Sequence, residues 1–186
     1  MLDVIAFDAD DTLWHNEPYY REMERRFTEI LAAYGPAPQE SLDALHRIEI
    51  DNLAFFGYGV RGFTLSMIEA AVQVTGGQVR AADLQAIVDQ GRAMTRYEIR
   101  LLDGVEEALQ GLTGRRLVLI TKGDVLDQES KLHRSGLADH FSLVEVITDK
   151  TLPVYTRLLE RHAIDPARFL MVGNSLRSDI APVLAL

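Results

Sequence analysis

The chain contains no cysteine among its 186 residues, which excludes disulfides, thiolate nucleophiles and cysteine-ligated zinc. The absence of cysteine is typical of proteins from a reducing compartment. No apolar run approaches the roughly 18 residues of a membrane span. Asp3 also lies where a secretory signal would carry a basic segment. We therefore expect a soluble cytoplasmic protein with no membrane partner.

Positive charge is also scarce. Lys and Arg together number 19 against 28 Asp and Glu, which gives a formal net charge of -9. This excess of carboxylates is a poor match to a phosphate backbone, so we expect no nucleic-acid partner. The 47% of hydrophobic residues is enough to form a real core. The length fits one domain, or one domain with a sizeable insertion.

The most informative segment is Val4–Leu13, an apolar run that ends in the carboxylates of Asp8, Asp10 and Asp11. This pattern is typical of a buried strand whose polar end opens into a site. Side chains two residues apart on an extended chain point the same way, so Asp8 and Asp10 can face one point. Two carboxylates at such a short distance repel each other, so they need a shared proton or a cation between them. A strand that ends in a solvated acidic turn is the alternative that this segment alone leaves open.

The rest of the chain shows two different hydrophobic periods. From residue 17 to residue 96 the apolar residues recur at helical spacing, with Gly and Pro between the runs, which predicts an all-helical block. From residue 97 onward, short apolar runs alternate with helical patterns, which predicts a parallel sheet with helices on both faces. The predicted fold class is therefore α/β. A Rossmann-like core, 1–16 and 97–186, would carry a helical cap, 17–96, inserted after the first strand.

The end of the sequence departs from this alternation. A helical pattern begins near Arg177 and continues to Leu186, with no C-cap glycine and no strand after it. The alternation predicts at least one more strand. We therefore expect the sequence to be a C-terminally truncated part of a longer chain.

Polar clusters follow each of the four predicted strands, and they consist of Asp8/Asp10/Thr12, Thr121, Lys150 and Asn174/Ser175/Asp179. Ligands of an open parallel sheet bind outside the carboxyl ends of its strands, so these clusters converge if the sheet forms. Carboxylates, a hydroxyl and an ammonium together suit a phosphoryl group with Mg²⁺, a hard cation that prefers oxygen ligands. Lys150 would offset phosphate charge, and Thr121 would donate a hydrogen bond to a phosphate oxygen.

These clusters resemble the four motifs of the haloacid dehalogenase-like hydrolase superfamily, and the helical insertion resembles the cap of its capped members. The resemblance covers essentially the whole chain. It implies that Asp8 is the nucleophile that forms an aspartyl-phosphate, and that Asp10 is the general acid and base. It also implies a Mg²⁺ site that consists of Asp8, the Asp10 carbonyl, Asn174 and Asp179. The implied phosphate-binding groups are Thr121, the backbone amide of Lys122, and Lys150.

Two positions depart from the family pattern. Position 11 is Asp where the family often has Gly, but Asp tolerates unusual turn conformations. Position 174 is Asn where an acid is commoner. Asn can still ligate through its oxygen or order a metal-bound water, but it lowers the charge of the site and with it the expected metal affinity.

The presence of Asp10 distinguishes between two reaction types known in the family, phosphoryl transfer and displacement of halide. Phosphoryl transfer needs a proton for the leaving alkoxide, whereas displacement of halide does not, and the family's dehalogenases lack an Asp there. The predicted function is therefore Mg²⁺-dependent hydrolysis of a small phosphorylated metabolite. A phosphomutase, a dehalogenase of the same fold and a catalytically impaired binding relative stay open as alternatives. Phosphonate cleavage is disfavoured because residues 17–96 contain no lysine that could form an imine.

One alternative comes from a different class of protein. A phosphorylation-controlled receiver domain also places an acidic pair, a Thr and a Lys at strand ends. It would need an acceptor Asp at the end of a strand between Leu13 and Thr121, which the sequence does not show. The physiological substrate and the oligomeric state are not predicted by the sequence.

Overall fold

The computed structural model describes residues 2–186, which divide into two compact units. One unit contains the chain up to Asn16 together with Glu98–Leu186, and the other is Glu17–Tyr97. Each unit has its own hydrophobic core. Across residues 2–186, every helix is too short or too polar to cross a bilayer.

The unit Glu17–Tyr97 consists of helices α1 (Glu17–Leu31), α2 (Pro38–Phe56), α3 (Val60–Val74) and α4 (Ala81–Met94). Its core includes Met23, Phe27, Leu45, Phe63 and Ile87, at least one from each helix. These residues recur at the spacing that brings apolar side chains to one face of a helix, which is why the four helices pack together.

Four parallel strands form the sheet of the other unit: β1 (Val4–Phe7), β2 (Arg116–Lys122), β3 (Leu143–Ile147) and β4 (Phe169–Val172). Their spatial order is β3-β2-β1-β4. The helices of this unit are α5 (Val105–Gly111), α6 (Val125–Arg134), α7 (Leu152–Arg161) and α8 (Ala181–Leu184). The predicted α/β class with a Rossmann-like parallel sheet is confirmed.

Alternate residues of the two central strands enter two different cores. One core contains Ile5, Phe7, Leu117 and Leu119 together with Leu109 of α5 and Leu132 of α6. The other contains Val4, Ala6, Val118 and Ile120 together with Tyr155 and Leu158 of α7. Successive side chains of a strand point to opposite faces, so β1 and β2 must be apolar on both sides. Helices therefore cover both faces of the sheet, as the alternation predicts.

The strand order creates a crevice next to β1. The chain proceeds from β1 to β2 to β3 on one side and then crosses to β4 on the other side. Such a switch point opens a crevice outside the carboxyl ends of the strands, where ligands of α/β sheets bind. Asp8 follows β1 and Gly173 follows β4 directly, so both flank this crevice.

The last turns differ from the single helix predicted for residues 177–186. A π-helical turn spans Leu176–Ile180, and α8 follows it. Pro182 accounts for the wider turn, because proline has no N–H and its ring excludes the carbonyl four residues earlier. The Ala181 N–H instead donates to the Leu176 carbonyl, five residues back, which is the π-helical bond.

Candidate active site

The loop after β1 is built around Asp11, whose backbone has a left-handed conformation with φ of 56°. Aspartate adopts this region more readily than most residues because its short side chain can bond locally. Here Asp11 Oδ1 accepts a hydrogen bond from the Asn16 N–H at 2.9 Å, and the Asp11 N–H donates to the Trp14 carbonyl at 2.7 Å. The loop thus keeps its conformation without a glycine at position 11.

Three buried charged residues meet at the carboxyl ends of the strands. The Lys150 ammonium donates to the Asp8 carboxylate and to Asp179 Oδ1. The exposed fractions of Asp8, Lys150 and Asp179 are 8%, 3% and 1%. The Ser175 N–H donates to Asp179 Oδ2 at 2.9 Å, and the Thr12 hydroxyl lies 3.4 Å from Asp8 Oδ2. The structure therefore brings together residues from three of the four predicted clusters, which lie 29 and 142 positions apart along the chain.

Burial sets the electrostatics of this group. Desolvation raises the pKa of Asp8 above its ordinary value, because the charged form loses its water; the Lys150 ammonium opposes the rise and the Asp179 carboxylate adds to it. Two carboxylates and one ammonium leave the group with an excess of negative charge when all three are ionised. A further cation near Asp8 and Asp179 would therefore be stabilised electrostatically.

The predicted phosphate-binding residues Thr121 and Lys122 lie at the end of β2. Thr121 is buried, and its hydroxyl oxygen accepts a hydrogen bond from the Gln128 amide at 2.8 Å. The Lys122 carbonyl accepts from the same amide at 2.7 Å, and the Lys122 ammonium donates to the Ser178 hydroxyl at 3.3 Å. Partial burial lowers the pKa of Lys122, with the nearby Lys150 acting in the same direction.

The Asp10 carboxylate has partners of its own. It accepts hydrogen bonds from the Trp14 indole at 2.7 Å, the Gln128 amide at 3.0 Å and the Lys131 ammonium at 3.2 Å. Asn174 is exposed, and its backbone N–H donates to the Thr12 hydroxyl at 3.1 Å. Asp10 and Asn174 thus lie beside the Asp8 group, with Gln128 linking Asp10 to Thr121 and Thr12 linking Asn174 to Asp8.

Comparison with known proteins establishes the family. The haloacid dehalogenase-like hydrolase model matches residues 2–185. The chain belongs to the haloacid dehalogenase-like hydrolases. A family hydrolase from Xanthomonas campestris is 43% identical, with a TM-score of 0.94 over 99% of this chain and 78% of that chain. The family that the motifs predict is confirmed.

Two more distant relatives illustrate the range of activities on this fold. Pyrimidine 5′-nucleotidase YjjG of Escherichia coli K12 is 22% identical over an alignment 188 residues long, gaps included, that covers 96% of this chain and 80% of the relative. A 2-haloacid dehalogenase from Pseudomonas syringae is 21% identical, with a TM-score of 0.68 over 100% of this chain and 83% of that chain. At this identity the structural likeness shows the fold alone.

The oxygen donors of this hydrolase suit a hard cation. The Asp8 and Asp179 carboxylates both contact one ammonium, so their oxygens are close enough to share one cation. Within residues 2–186, no group of three or more His, Asp or Glu side chains could hold a metal. A cation here would complete its shell with carbonyl, amide or water oxygens, which is how Mg²⁺ is commonly held in proteins.

Gly173 is required by the packing of Asp179. A Cβ added at position 173 would lie 2.3 Å from Asp179 Cγ and 2.4 Å from Oδ2. Asp179 cannot yield easily because its two carboxylate oxygens are held by Lys150 and the Ser175 N–H. We expect Gly173→Ala to displace the Asp179 carboxylate and to lower turnover by about 100-fold, the effect typical of a misplacement near 1 Å.

Gly111→Ala provides the matched control for Gly173→Ala. A Cβ at Gly111, the last residue of α5, meets nothing within 4 Å. We expect this variant to keep wild-type turnover and to be as stable or slightly more stable, because alanine restricts the unfolded chain. Equal turnover of the two variants in a phosphate-release assay would contradict the packing argument.

Proposed function

We propose that this hydrolase is a Mg²⁺-dependent phosphatase that hydrolyses a small phosphorylated metabolite through an aspartyl-phosphate on Asp8. The observation that carries the proposal is that Asp8 and Asp10, two residues apart, have different partners. Asp8 belongs to a buried group with Lys150 and Asp179, whereas Asp10 is held by Trp14, Gln128 and Lys131. Two carboxylates in different environments suit a nucleophile beside a general acid and base.

Asp8 would attack the phosphorus atom with a carboxylate oxygen as the bond to the leaving oxygen breaks. Its position at the end of the rigid strand β1 limits the movement of the attacking atom. The Thr12 hydroxyl, 3.4 Å from Asp8 Oδ2, and the Lys150 ammonium contact this carboxylate and would keep it oriented for attack.

The phosphoryl oxygens would be held by Thr121, the backbone amide of Lys122 and the Lys150 ammonium. Gln128 donates to the Thr121 oxygen, and the Thr121 hydroxyl itself donates only at 3.4 Å, to the Lys122 carbonyl, so a small rotation would direct its hydrogen to a phosphate oxygen. Donors that are already oriented stabilise the charge that develops during phosphoryl transfer without further reorganisation.

Asp8, Asp179, Asn174 and the Asp10 carbonyl would hold Mg²⁺. Bound Mg²⁺ supplies positive charge that offsets repulsion between the phosphate and the carboxylates. Asn174 contributes an oxygen without a charge. The negative charge offered to the ion would therefore come from the Asp8 and Asp179 carboxylates.

Asp10 would act through proton transfer. In its protonated form it would give a proton to the leaving oxygen in the first step, and the carboxylate left behind would take a proton from the water that attacks the aspartyl-phosphate. The donors that hold the Asp10 carboxylate are different from the Lys150 ammonium that holds Asp8, so Asp10 can transfer protons while Asp8 binds the phosphoryl group. The dehalogenase alternative has no use for a carboxylate at this position.

The helical unit Glu17–Tyr97 would serve as the cap that selects the substrate. Its place in the chain supports this role, because it is inserted between β1 and β2, immediately after the loop that carries Asp8 and Asp10. Residues 17–96 contain no lysine, so the permanently positive side chains that the cap could offer to a second anionic group of the substrate are its arginines.

The activity can be tested directly with p-nitrophenyl phosphate and with 2-chloropropionate. We expect phosphate release that requires Mg²⁺ and stops with EDTA, and no chloride release. Chloride release without Mg²⁺ would instead support the dehalogenase alternative. A substrate panel should include sugar phosphates, phosphoglycolate and pyrimidine nucleoside monophosphates, because the relative YjjG is a pyrimidine 5′-nucleotidase.

A further inference from the structure

Helix α6 packs Leu132 into a core in the usual way, but it also buries polar residues and exposes apolar ones. Asp127, Gln128 and Lys131 are buried, with exposed fractions of 6%, 2% and 7%. Val125 and Leu126 of the same helix are 50% and 65% exposed. A surface helix normally buries its apolar residues and exposes its charges. The buried polar residues therefore call for an explanation other than core packing.

The buried residues of α6 converge on Asp10. The Lys131 ammonium lies 3.2 Å from Asp10 Oδ1 and 3.3 Å from Oδ2, and the Gln128 amide donates to Oδ2 at 3.0 Å. Trp14 donates to Oδ1 at 2.7 Å from the opposite end of the same loop. Both carboxylate oxygens are thus held, and the side chain has little freedom to rotate.

Lys131 itself is fixed by two further groups. Its ammonium donates to Asn16 Oδ1 at 3.1 Å and lies 3.1 Å from the Asp127 carboxylate. Asp127 in turn is placed by the start of the helix, where the Asp124 side chain accepts from the Asp127 N–H at 2.9 Å. The N-cap of α6 therefore contributes, through Asp127 and Lys131, to the position of the Asp10 carboxylate.

Gln128 connects the two strand ends. Its amide nitrogen contacts Asp10 Oδ2, the Thr121 hydroxyl at 2.8 Å and the Lys122 carbonyl at 2.7 Å. A carbonyl and a carboxylate can only accept, so the nitrogen and not the oxygen of the amide must face them. The Gln128 Oε1 atom is left buried with no hydrogen bond from the described residues. Stability alone would not favour a glutamine here.

We propose that Gln128 and Lys131 of α6 are positioning residues that hold Asp10 for proton transfer to the leaving group. This inference rests on the proposed phosphatase function and deepens it. A group that donates a proton must lie within hydrogen-bond reach of the leaving oxygen, and free rotation of Asp10 would lose that geometry. Lys131 and Gln128 act on the substrate only through Asp10 and, for Gln128, through Thr121.

The test uses two aryl phosphates of similar size that differ in their need for an acid. p-Nitrophenolate leaves readily without a proton, whereas phenolate is a poorer leaving group and depends on protonation. We expect Lys131→Met to lower kcat/KM for phenyl phosphate by about 100-fold and for p-nitrophenyl phosphate by less than about fivefold, because kcat/KM reports the first phosphoryl transfer. Equal losses on both substrates would overturn the inference and reduce Lys131 to a structural residue.

Three further variants make the result specific. Arg134→Met removes an exposed cation from the same helix and is expected to leave both substrates unaffected. Gln128→Met removes no charge, so it tests the same role if Lys131→Met fails to fold. We expect it to lower kcat/KM for both substrates, because Gln128 also contacts Thr121, but to lower it at least about tenfold more for phenyl phosphate. In an Asp10→Asn background, Lys131→Met should add no further discrimination between the substrates, since positioning residues act through Asp10.

The proposed function and the positioning role are tested by two different measurements. Mg²⁺-dependent turnover of p-nitrophenyl phosphate by the wild-type chain tests the phosphatase proposal alone. The ratio of the two substrates in the variants tests the role of α6. An active wild-type enzyme with an unchanged ratio in both Lys131→Met and Gln128→Met would reject the positioning role and leave the phosphatase proposal intact.

Discussion

Asp8→Asn is expected to lose at least about 1,000-fold in turnover while folding normally, since removal of a nucleophile leaves only the binding contribution to catalysis. The amide has the same shape as the carboxylate but cannot attack phosphorus. The fold should tolerate the change because Lys150 keeps the Asp179 carboxylate as its partner. Burial already raises the pKa of Asp8, so a neutral side chain avoids a desolvation penalty.

The measurements for Asp8→Asn are phosphate release, the thermal unfolding midpoint and the intact mass after an acid quench during turnover. We expect a phosphoryl adduct on the wild-type chain and none on the variant. Asp139→Asn, a change at an exposed carboxylate in the same unit, is the matched control and should behave as wild type. Retained turnover in Asp8→Asn would show that another residue is the nucleophile.

Lys150→Met is expected to produce the largest loss of stability at the site. It leaves the buried Asp8 and Asp179 carboxylates facing each other with no cation between them. Removal of one partner from a buried ion pair typically lowers the free energy of unfolding by about 3–5 kcal/mol. Chemical denaturation in EDTA measures the loss, and added Mg²⁺ should restore part of it in the variant if Asp8 and Asp179 hold the ion.

The pH dependence of that loss has a definite sign. The pKa of Asp8 in the folded protein lies above the ordinary value of 3.8, mainly through burial. Below pH 3.8 the carboxyl is protonated in both states and carries no penalty. As pH rises above 3.8 the unfolded chain ionises first, so the free energy of unfolding falls until the folded pKa is passed. Lys150 is the main opposing cause, so its removal should make this fall larger.

Arg157→Met is the control for Lys150→Met. Arg157 is exposed on α7, the helix that follows Lys150, so the substitution removes a cation close in sequence but outside the buried group. We expect its stability to stay within about 0.5 kcal/mol of wild type. If Lys150→Met matched this control and showed a flat pH profile, the ammonium would not be stabilising the two carboxylates.

The sheet and most of the site could be predicted because both follow from short-range patterns. The strand before Asp8, Asp10 and Asp11 can be recognised from neighbouring residues alone. Parallel strands then bring their carboxyl ends to one edge of the sheet, independently of the sequence between them. That topological rule is sufficient to bring Asp8, Lys150 and Asp179 together across 171 positions (179 − 8). The type of the final turn was not predictable without weighing how Pro182 interrupts the helical ladder.

The contribution of α6 could not be predicted in the same way. Its sequence shows charged and apolar residues interleaved, and the usual rule would expose Asp127, Gln128 and Lys131. Which face of a helix is buried depends on what the helix packs against, and the partner here is the loop that carries Asp10. The composition did contain a signal for Lys131. The chain has only three lysines, Lys122, Lys131 and Lys150, and the other two are among the predicted site residues.

That lysine distribution makes the protein suitable for selective amine chemistry. All three lysine ammonium groups lie at the carboxyl end of the sheet, while the remaining cationic side chains are arginines and histidines. Because Lys131 and Lys150 are buried in ion pairs, reductive methylation with isotope-labelled formaldehyde should, among the lysines, place NMR-visible methyl groups first on Lys122. The signal of Lys122, whose pKa is lowered by burial and also responds to Lys150, Asp8 and Asp179, could then follow metal and phosphate binding without any engineered label.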